Sequence, residues 1–188
     1  MNTMRLFVAL HVPEQVREHL RQVQRFLAAA GADVRWEHAG KLHCTMVFLG
    51  DTPEERLADV MEAVHAGASG IPPVGAGFGG IGFFPDANHA RVVWEGIDDP
   101  AKALTRLHDA IVRCLDERRI VHDTKPFHAH ITLGRIRSPR GLGKLTTTAE
   151  SCTLHHPLVT IPAIAIVRSV LSSTGSSYED LRTLPLSA

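Results

Sequence analysis

The chain has 188 residues, and 44% of them are hydrophobic, enough to build one large domain or two small halves with a buried core. Basic and acidic side chains balance at 20 each, which excludes a general basic field of the kind that holds long nucleic acid. We therefore expect any RNA to be recognised at a terminus and not along a duplex.

Hydrophobic periodicity and turn residues predict an alternation of strands and helices. In chain order we predict strand 4–12, helix 14–31, strands 33–37 and 41–49, a helix from 51 or 52 to about 66, strands 77–84 and 89–96, a helix from 100 to about 115, strand 129–136, and strands 161–172 and 178–184. Residues 67–75 are predicted to be a linker, and the polar residues 138–148 a loop or a single helical turn. This order is typical of an α+β fold.

Two of the predicted strands carry the same short motif. His43 and Thr45 stand two residues apart in the first, and His130 and Thr132 do so in the second. Side chains two residues apart share a face of a strand, so each strand presents an imidazole and a hydroxyl together. A third His-x-Thr, at residues 122–124, lies among polar turn residues and is set aside. We predict that the fold brings the two motif strands to one site.

The paired motif strands resemble those of the 2H phosphoesterase superfamily, and within it the RNA 2′,3′-cyclic phosphodiesterases, historically called 2′-5′ RNA ligases. Further stretches match that family in order: Arg5-Leu6-Phe7-Val8-Ala9-Leu10, Val34-Arg35-Trp36, Leu49-Gly50-Asp51, Gly80-Ile81-Gly82-Phe83-Phe84-Pro85, Arg91-Val92-Val93-Trp94, Pro126-Phe127, and Gly175 with Tyr178. The resemblance covers nearly the whole chain. Ala129 replaces the usual proline before the second histidine, and Cys44 the usual aliphatic residue, but neither departure touches a motif residue.

The resemblance implies a two-lobed α+β fold with pseudo-twofold duplication. Two antiparallel sheets would form a V-shaped cleft with helices outside, residues 1–188 would be a single domain, and each lobe would supply one motif. The resemblance also implies hydrolysis of RNA 2′,3′-cyclic phosphate termini to 2′-phosphomonoesters. In that reaction His43 would be the acid that protonates the leaving oxygen, and His130 the base that activates water.

The residue types of the motifs suit this chemistry. An in-line displacement at phosphorus needs a base on one side and an acid on the other, and an imidazole pKa of about 6.5 lets one histidine be neutral while the other is protonated. Thr45, Thr132 and Arg135 would bind the phosphoryl oxygens. Strict alternation turns Arg135 away from Thr132, so it reaches the site only if Gly134 ends the strand with a kink. The symmetric pair by itself does not assign acid and base.

Three further side chains are candidates for contacts at the edge of the cleft. Phe7 and Tyr178 would stack a terminal base, with a place in the core as the alternative, and His128 would lie at the cleft edge. His128 shares a strand face with His130, and the pair at residues 155–156 would offer further ligands for a metal. No carboxylate flanks either group, so we expect no metal and no cofactor.

Other functions stay open on the sequence alone. The enzyme alternative is a 2H phosphodiesterase acting on a small cyclic nucleotide, on ADP-ribose 1″,2″-cyclic phosphate or on a 2′,5′-linked oligonucleotide, with weak reverse 2′-5′ RNA ligation. The alternative outside catalysis is a module that binds phosphate-ended RNA without turnover. Product analysis on oligonucleotide and mononucleotide substrates separates the two enzymes, and single His→Ala changes identify the binding module.

The remaining composition indicates a compartment and a set of partners. Cys44, Cys114 and Cys152 are too far apart for a disulfide framework or a metal motif, so we expect buried thiols. No apolar run of about 18 residues is present, and the first residues lead into a strand without a signal-peptide pattern. We expect a cytoplasmic monomer without membrane contact or obligate protein partner that acts on RNA 3′ termini or small cyclic nucleotides.

Overall fold

Two β-sheets form the frame of the molecule. A computed structural model describes residues 2–172 and 175–187, and within them it contains nine strands and four α-helices. The strands are β1 (Thr3–His11), β2 (Val34–Trp36), β3 (His43–Pro53), β4 (Val74–Phe84), β5 (Val92–Asp98), β6 (His130–Ile136), β7 (His155–Ile161), β8 (Ala163–Ser172) and β9 (Gly175–Pro185). The helices are α1 (Glu14–Ala28), α2 (Leu57–Ala68), α3 (Ala103–Glu117) and α4 (Leu142–Glu150).

Each sheet carries one of the two motif strands. The four-stranded sheet has the order β3-β1-β8-β9 and the five-stranded sheet the order β2-β6-β5-β4-β7, with antiparallel neighbours throughout. Helices α1 and α4 pack on the five-stranded sheet, whereas α2 and α3 pack on each other and on the four-stranded sheet. The predicted α+β fold, with two antiparallel sheets and helices outside, is confirmed. No helix in the described residues is both long enough and apolar enough to cross a bilayer.

Helix α1 is held to the five-stranded sheet by an apolar stripe and one polar pair. Val16, Leu20 and Val23 are fully buried at helical spacing. On the same side, Nε2 of His19 lies 2.5 Å from Oε1 of Glu95 in β5, and both side chains are buried. A buried carboxylate requires such a partner, so this contact fixes where α1 sits on the sheet.

Helix α2 begins later and ends later than the sequence predicted. The ladder between β1 and β3 includes Asp51 and Thr52, which are therefore strand residues and not the cap of a helix. At the other end, α2 continues through Gly67, which was assigned to a linker. A Cβ at Gly67 would lie 2.6 Å from the Cα of Ile111. The missing side chain thus lets α2 and α3 pack closely, and tertiary contact overrides the low helix propensity of glycine.

The sequence reading missed two further elements and misplaced the start of a third. Helix α4 has nine residues, where a loop or a single helical turn was predicted, and it buries only Leu145 and Ala149, so its periodic signal is weak. Strand β7 pairs with β4 at the edge of its sheet and is mostly exposed, so it lacks the apolar run of a buried strand. Helix α3 begins at Ala103 and not at Pro100, because the carboxylate of Asp99 accepts hydrogen bonds from its first amide groups.

Candidate active site

The four motif side chains line one cavity between the two sheets. The cavity has a volume of about 420 Å³. His43 and Thr45 enter it from β3, and His130 and Thr132 enter it from β6. In each strand the two residues share a face, as the period of 2 requires. Residues from distant parts of the chain therefore meet because their strands lie in facing sheets.

Both imidazoles are fixed in the same tautomer by the backbone. Nδ1 of His43 lies 2.6 Å from the carbonyl oxygen of Lys41, and Nδ1 of His130 lies 2.7 Å from that of His128. A carbonyl oxygen only accepts, so each Nδ1 carries the hydrogen and donates it. In both residues Nε2 is the nitrogen that remains for proton exchange with a bound molecule.

The hydroxyl groups break the symmetry between the two motifs. Nε2 of His43 lies 3.1 Å from Oγ1 of Thr45, within hydrogen-bond distance. Across residues 2–172 and 175–187, no such bond joins His130 to Thr132, and Nε2 of His130 is left open to the cavity. The two histidines thus share a tautomer but differ in the partner at the reactive nitrogen.

A β-bulge follows each motif and turns one more residue into the cavity. The ladder between β1 and β3 skips Met46, and the ladder between β5 and β6 skips Leu133. An extra residue shifts the alternation by one. As a result Phe48 and Arg135, each five positions after its motif histidine, both line the cavity. Arg135 reaches the cleft through this bulge, although β6 does not end at Gly134.

Phe48 was missed by the sequence reading. Strict alternation places it on the same face as Cys44, away from the cleft, because a bulge is invisible to a period of 2. A signal was nevertheless present in the repetition of the motif. Arg135 was a candidate at the fifth position after the second histidine, and the same offset from the first histidine leads to Phe48.

Aromatic rings surround His43. Phe7 stacks on its imidazole with ring centroids 4.9 Å apart and planes 29° apart. Tyr178 meets the same imidazole edge-on at 5.3 Å and lines the cavity. Phe7 is only 5% exposed, so its ring face is occupied by His43. Both residues considered for base stacking line the cavity, and Tyr178 is the less buried of the two.

A different group of rings surrounds His130. Phe84 meets it edge-on at 4.9 Å, and Trp94 lies 5.9 Å away. His128 packs on Trp94 at 4.7 Å and is exposed on the side of β6 that faces a second, neighbouring cavity. The structure therefore places His128 next to His130 but outside the cavity that the two motifs line.

Cations line the cavity, although the chain as a whole is neutral. Arg5, Arg35, Lys41 and Arg135 contribute to its walls, against one carboxylate among the described residues, that of Glu37. Nε of Arg135 lies 3.6 Å from Oε1 of Glu37, and Arg5 lies over the ring of Phe48 at 4.8 Å. Clefts lined by one sign of charge concentrate ligands of the opposite sign, so this arrangement favours an anion between the histidines.

Burial lowers the pKa of both motif histidines. For His43, burial is the largest cause, and the positive charges of His11 and His130 act in the same direction, whereas the hydrogen bond to the Lys41 carbonyl raises the pKa. For His130, burial again lowers the pKa most, and the bond to the His128 carbonyl opposes it. Desolvation penalises the charged imidazolium. Both rings therefore lose their proton below the usual range, and an anion in the cavity would reverse part of the shift.

Cys44 is not a nucleophile candidate, although it is adjacent to His43. The side chain is 1% exposed and points to the core, away from the cavity. Burial raises the pKa of its thiol to about 12. The reactive form of cysteine is the thiolate, which this environment suppresses. Cys44 and Cys114 are free and buried, as predicted, whereas Cys152 is free and partly exposed.

The histidines considered as metal ligands lie on separate strands. His155 and His156 belong to β7, and two strands, β5 and β4, separate them from β6, which begins at His130, two residues after His128. The ring of His156 packs instead against His19. In the described part of the chain, no group of three or more His, Cys, Asp or Glu side chains is arranged to hold a metal ion.

Comparison with known proteins shows which family the chain belongs to. The model of the LigT-like phosphoesterases matches residues 10–94, which include the first motif. An RNA 2′,3′-cyclic phosphodiesterase from Thermus thermophilus is 33% identical over 191 residues, 97% of this chain and 90% of the relative. One from Archaeoglobus fulgidus is 31% identical over 180 residues, 95% of this chain and 98% of the relative. The crystal structure of TT0787 from Thermus thermophilus matches with a TM-score of 0.81 and 29% identity over 97% of this chain and 98% of that one. The resemblance seen in the motifs is thus confirmed, and the chain belongs to the LigT-like phosphoesterases of the 2H superfamily.

Proposed function

We propose that this chain hydrolyses the 2′,3′-cyclic phosphate at an RNA 3′ end and leaves a 2′-phosphomonoester. The observation that carries the proposal is the pair of Nε2 atoms, from His43 and His130, set in one cavity with cationic walls. Backbone carbonyls fix both tautomers, so the same nitrogen of each ring meets a substrate that lies between them. The family members from Thermus thermophilus and Archaeoglobus fulgidus are named RNA 2′,3′-cyclic phosphodiesterases, which supports the same substrate here.

In the proposed reaction the oxygen of water bonds to phosphorus while the bond between phosphorus and O3′ breaks. The water proton passes to Nε2 of His130, and O3′ takes a proton from Nε2 of His43. The bond from phosphorus to O2′ stays intact. His130 ends protonated and His43 neutral, and exchange with solvent restores both. The open Nε2 of His130 fits the role of the base that receives a proton from water.

The charge of the phosphoryl oxygens would be met by donors already in the cavity. The hydroxyls of Thr45 and Thr132 flank the two histidines, and the guanidinium of Arg135 adds a forked cation. Fixed donors of this kind stabilise the charge that the transition state of phosphoryl transfer spreads over the oxygens. All these groups come from one chain, so we propose a single domain that works as a monomer without a metal or a cofactor.

The test is a product analysis with EDTA-treated protein. The substrate is a short RNA that ends in a 2′,3′-cyclic phosphate, and chromatography separates the 2′- and 3′-phosphate products. We expect the 2′-phosphate alone, at a rate that EDTA does not change. The same RNA with a linear 3′-phosphate is the control and should stay intact. A 3′-phosphate product, or activity that requires an added metal, would contradict the proposed mechanism.

If the protein does not cleave RNA, its activity on other substrates decides which part of the proposal is wrong. If the protein opens only cyclic mononucleotides, ADP-ribose 1″,2″-cyclic phosphate or 2′,5′-linked oligonucleotides, the chemistry stands and the substrate is wrong. If it binds phosphate-ended RNA and turns over none of these compounds, the cavity is a binding site and the catalytic proposal fails.

A further inference from the structure

A second cavity opens beside the proposed active site. Its volume is about 670 Å³, within the range of pockets that hold small-molecule ligands. It shares Thr45, Phe48 and His130 with the first cavity, so the ring of Phe48 stands at the border between the two spaces. A ligand that extends from one cavity into the other would therefore pass His130.

The walls of the second cavity are apolar and contain aromatic rings together with two prolines. Phe84, Pro85, Pro126, Phe127 and His128 contribute to them. The ring of Phe127 is backed by His108, with centroids 4.5 Å apart and planes 14° apart. Aromatic surfaces of this kind stack any nucleobase, because every base has a π face. The wall chemistry thus fits a base and gives little reason for a preference among bases.

The outer rim of the second cavity is positively charged. Arg91 is exposed there and makes no ion pair with any residue in the described ranges. Lys125 also lies on the rim, where its ammonium is 3.1 Å from the carboxylate of Asp123. An unpaired guanidinium at the end of an apolar wall fits a ligand that carries a phosphodiester next to its base.

We propose that this second cavity binds the nucleotide that precedes the terminal one in an RNA substrate. The inference rests on the proposed function, because it needs the cyclic phosphate to sit between His43 and His130. The first cavity, with its cations and Tyr178, is large enough for the terminal nucleotide. The strand continues from O5′ of that nucleotide and crosses Phe48. The preceding base then stacks on the wall, and its phosphodiester meets Arg91.

The test compares two substrates that share the same terminal nucleotide, a cyclic mononucleotide and a trinucleotide with the same cyclic end. Stacking of one more base is expected to favour the trinucleotide in kcat/KM by about tenfold, mainly through KM. Arg91→Glu should remove most of that advantage and leave the mononucleotide within about twofold of its original kcat/KM. Arg113→Glu, an exposed arginine on α3 outside both cavities, is the matched control and should leave both substrates unchanged.

Two further measurements separate base and phosphate contacts. A trinucleotide that lacks the base of its middle nucleotide should lose most of the length advantage with the original protein. The salt dependence of kcat/KM for the intact trinucleotide should become shallower in Arg91→Glu by about 0.7 in the logarithmic slope, the value for one contact to a single strand. If Arg91→Glu unfolds, Lys125→Glu with Lys144→Glu as its control replaces it, and thermal unfolding checks all four variants.

The outcomes of these experiments distinguish failure of the second-nucleotide site from failure of the proposed function. Turnover of both substrates at equal kcat/KM would overturn the second-nucleotide site and leave the proposed function intact. An equal loss on both substrates in Arg91→Glu would also overturn it, because the cavity would then serve the terminal nucleotide. No change on either substrate in Arg91→Glu would overturn it as well, because the second cavity would then serve a partner other than RNA. No turnover of either substrate by the original protein removes the proposed function, and this inference with it.

Discussion

Strands β3 and β6 share one plan but stand in different surroundings. In both, a backbone carbonyl fixes the histidine tautomer, and a bulge turns the fifth following residue into the cavity. That residue is Phe48 in β3 and Arg135 in β6. His43 is bonded to Thr45, whereas the reactive nitrogen of His130 is open. The comparison shows how a repeated backbone provides two like imidazoles with unlike neighbours, the asymmetry that the proposed acid and base roles require.

Removal of either motif histidine should have the largest effect on the reaction rate. A positioned acid or base contributes roughly 10²–10⁴-fold, so His43→Ala and His130→Ala should each lower kcat by about that factor while RNA still binds. The double variant should lose less than the product of the two, because both groups act on one step. Single-turnover rates and Kd values for cyclic-ended RNA measure both effects.

The control for the histidine variants is His65→Ala. His65 is exposed on α2 and lies outside both cavities, so its removal should leave the rate unchanged. A loss of affinity in the two motif variants, with no turnover in the original protein, would instead mark the cleft as a binding module.

A substitution of Arg135 tests the difference between the two strands at the fifth position after the motif histidine. Arg135→Gln removes a charged, forked donor and leaves Glu37 facing the substrate without its cation partner. Hydrogen bonds to charged groups are worth about 1.5–3 kcal/mol, so kcat/KM should fall by about 10- to 100-fold. Arg137→Gln is the matched control, because that exposed side chain is two residues further on and does not line the cavity. Equal losses in both variants would show that Arg135 acts through general charge and not through contact.

Replacement of the two threonines should have similar effects on kcat/KM but different effects on the pH profile. Loss of one hydrogen bond from a neutral hydroxyl to a charged phosphoryl oxygen costs about 1.5 kcal/mol, so Thr45→Val and Thr132→Val should each lower kcat/KM by roughly tenfold, and the serine variants should restore most of it. Thr45→Val should in addition move one limb of the pH profile, because it frees the reactive nitrogen of His43. Thr132→Val should leave both limbs in place. Identical pH profiles for the two variants would mean that the asymmetry seen in the structure has no effect on proton transfer.

The family resemblance implied the two sheets, and the repeated motif was enough to predict the four side chains that they bring together. The period of 2 is a local property, and it places His43 with Thr45 and His130 with Thr132 wherever the strands end up. The prediction that the two strands meet at one site came from the occurrence of the same motif twice in one chain. The placement of Phe48 required the bulge at Met46, which depends on the pairing with β1 and leaves no mark in the local pattern.

The missed elements have a related cause. Helix α4 and strand β7 each bury few residues, and hydrophobic periodicity detects burial and not backbone shape. Gly67 shows the opposite error, since a residue that reads as a break lies inside a helix where two helices meet closely. The structure of α4, of β7 and of the end of α2 therefore depends on contacts with parts of the chain that are distant in sequence.

The smallest predicted effects concern the pH dependence of the reaction, which distinguishes the two histidines. A base must be unprotonated, so kcat/KM rises with pH through the pKa of His130; an acid must be protonated, so kcat/KM falls through the pKa of His43. Burial lowers both pKa values, so the bell-shaped profile should have its optimum below about pH 6.5. A plateau from pH 5 to pH 8 would contradict an acid–base pair of histidines.

Phe7→Leu should move only one side of that profile. The stacked ring of Phe7 helps to keep water from His43, and a smaller side chain admits water and lets the pKa of His43 rise toward its usual value. The falling limb should therefore move to higher pH, by roughly half a unit, while the rising limb stays. Phe78→Leu is the control, because Phe78 is as buried but lies in β4 of the other sheet. Movement of the rising limb instead would exchange the roles of the two histidines, since the group that Phe7 covers would then be the base.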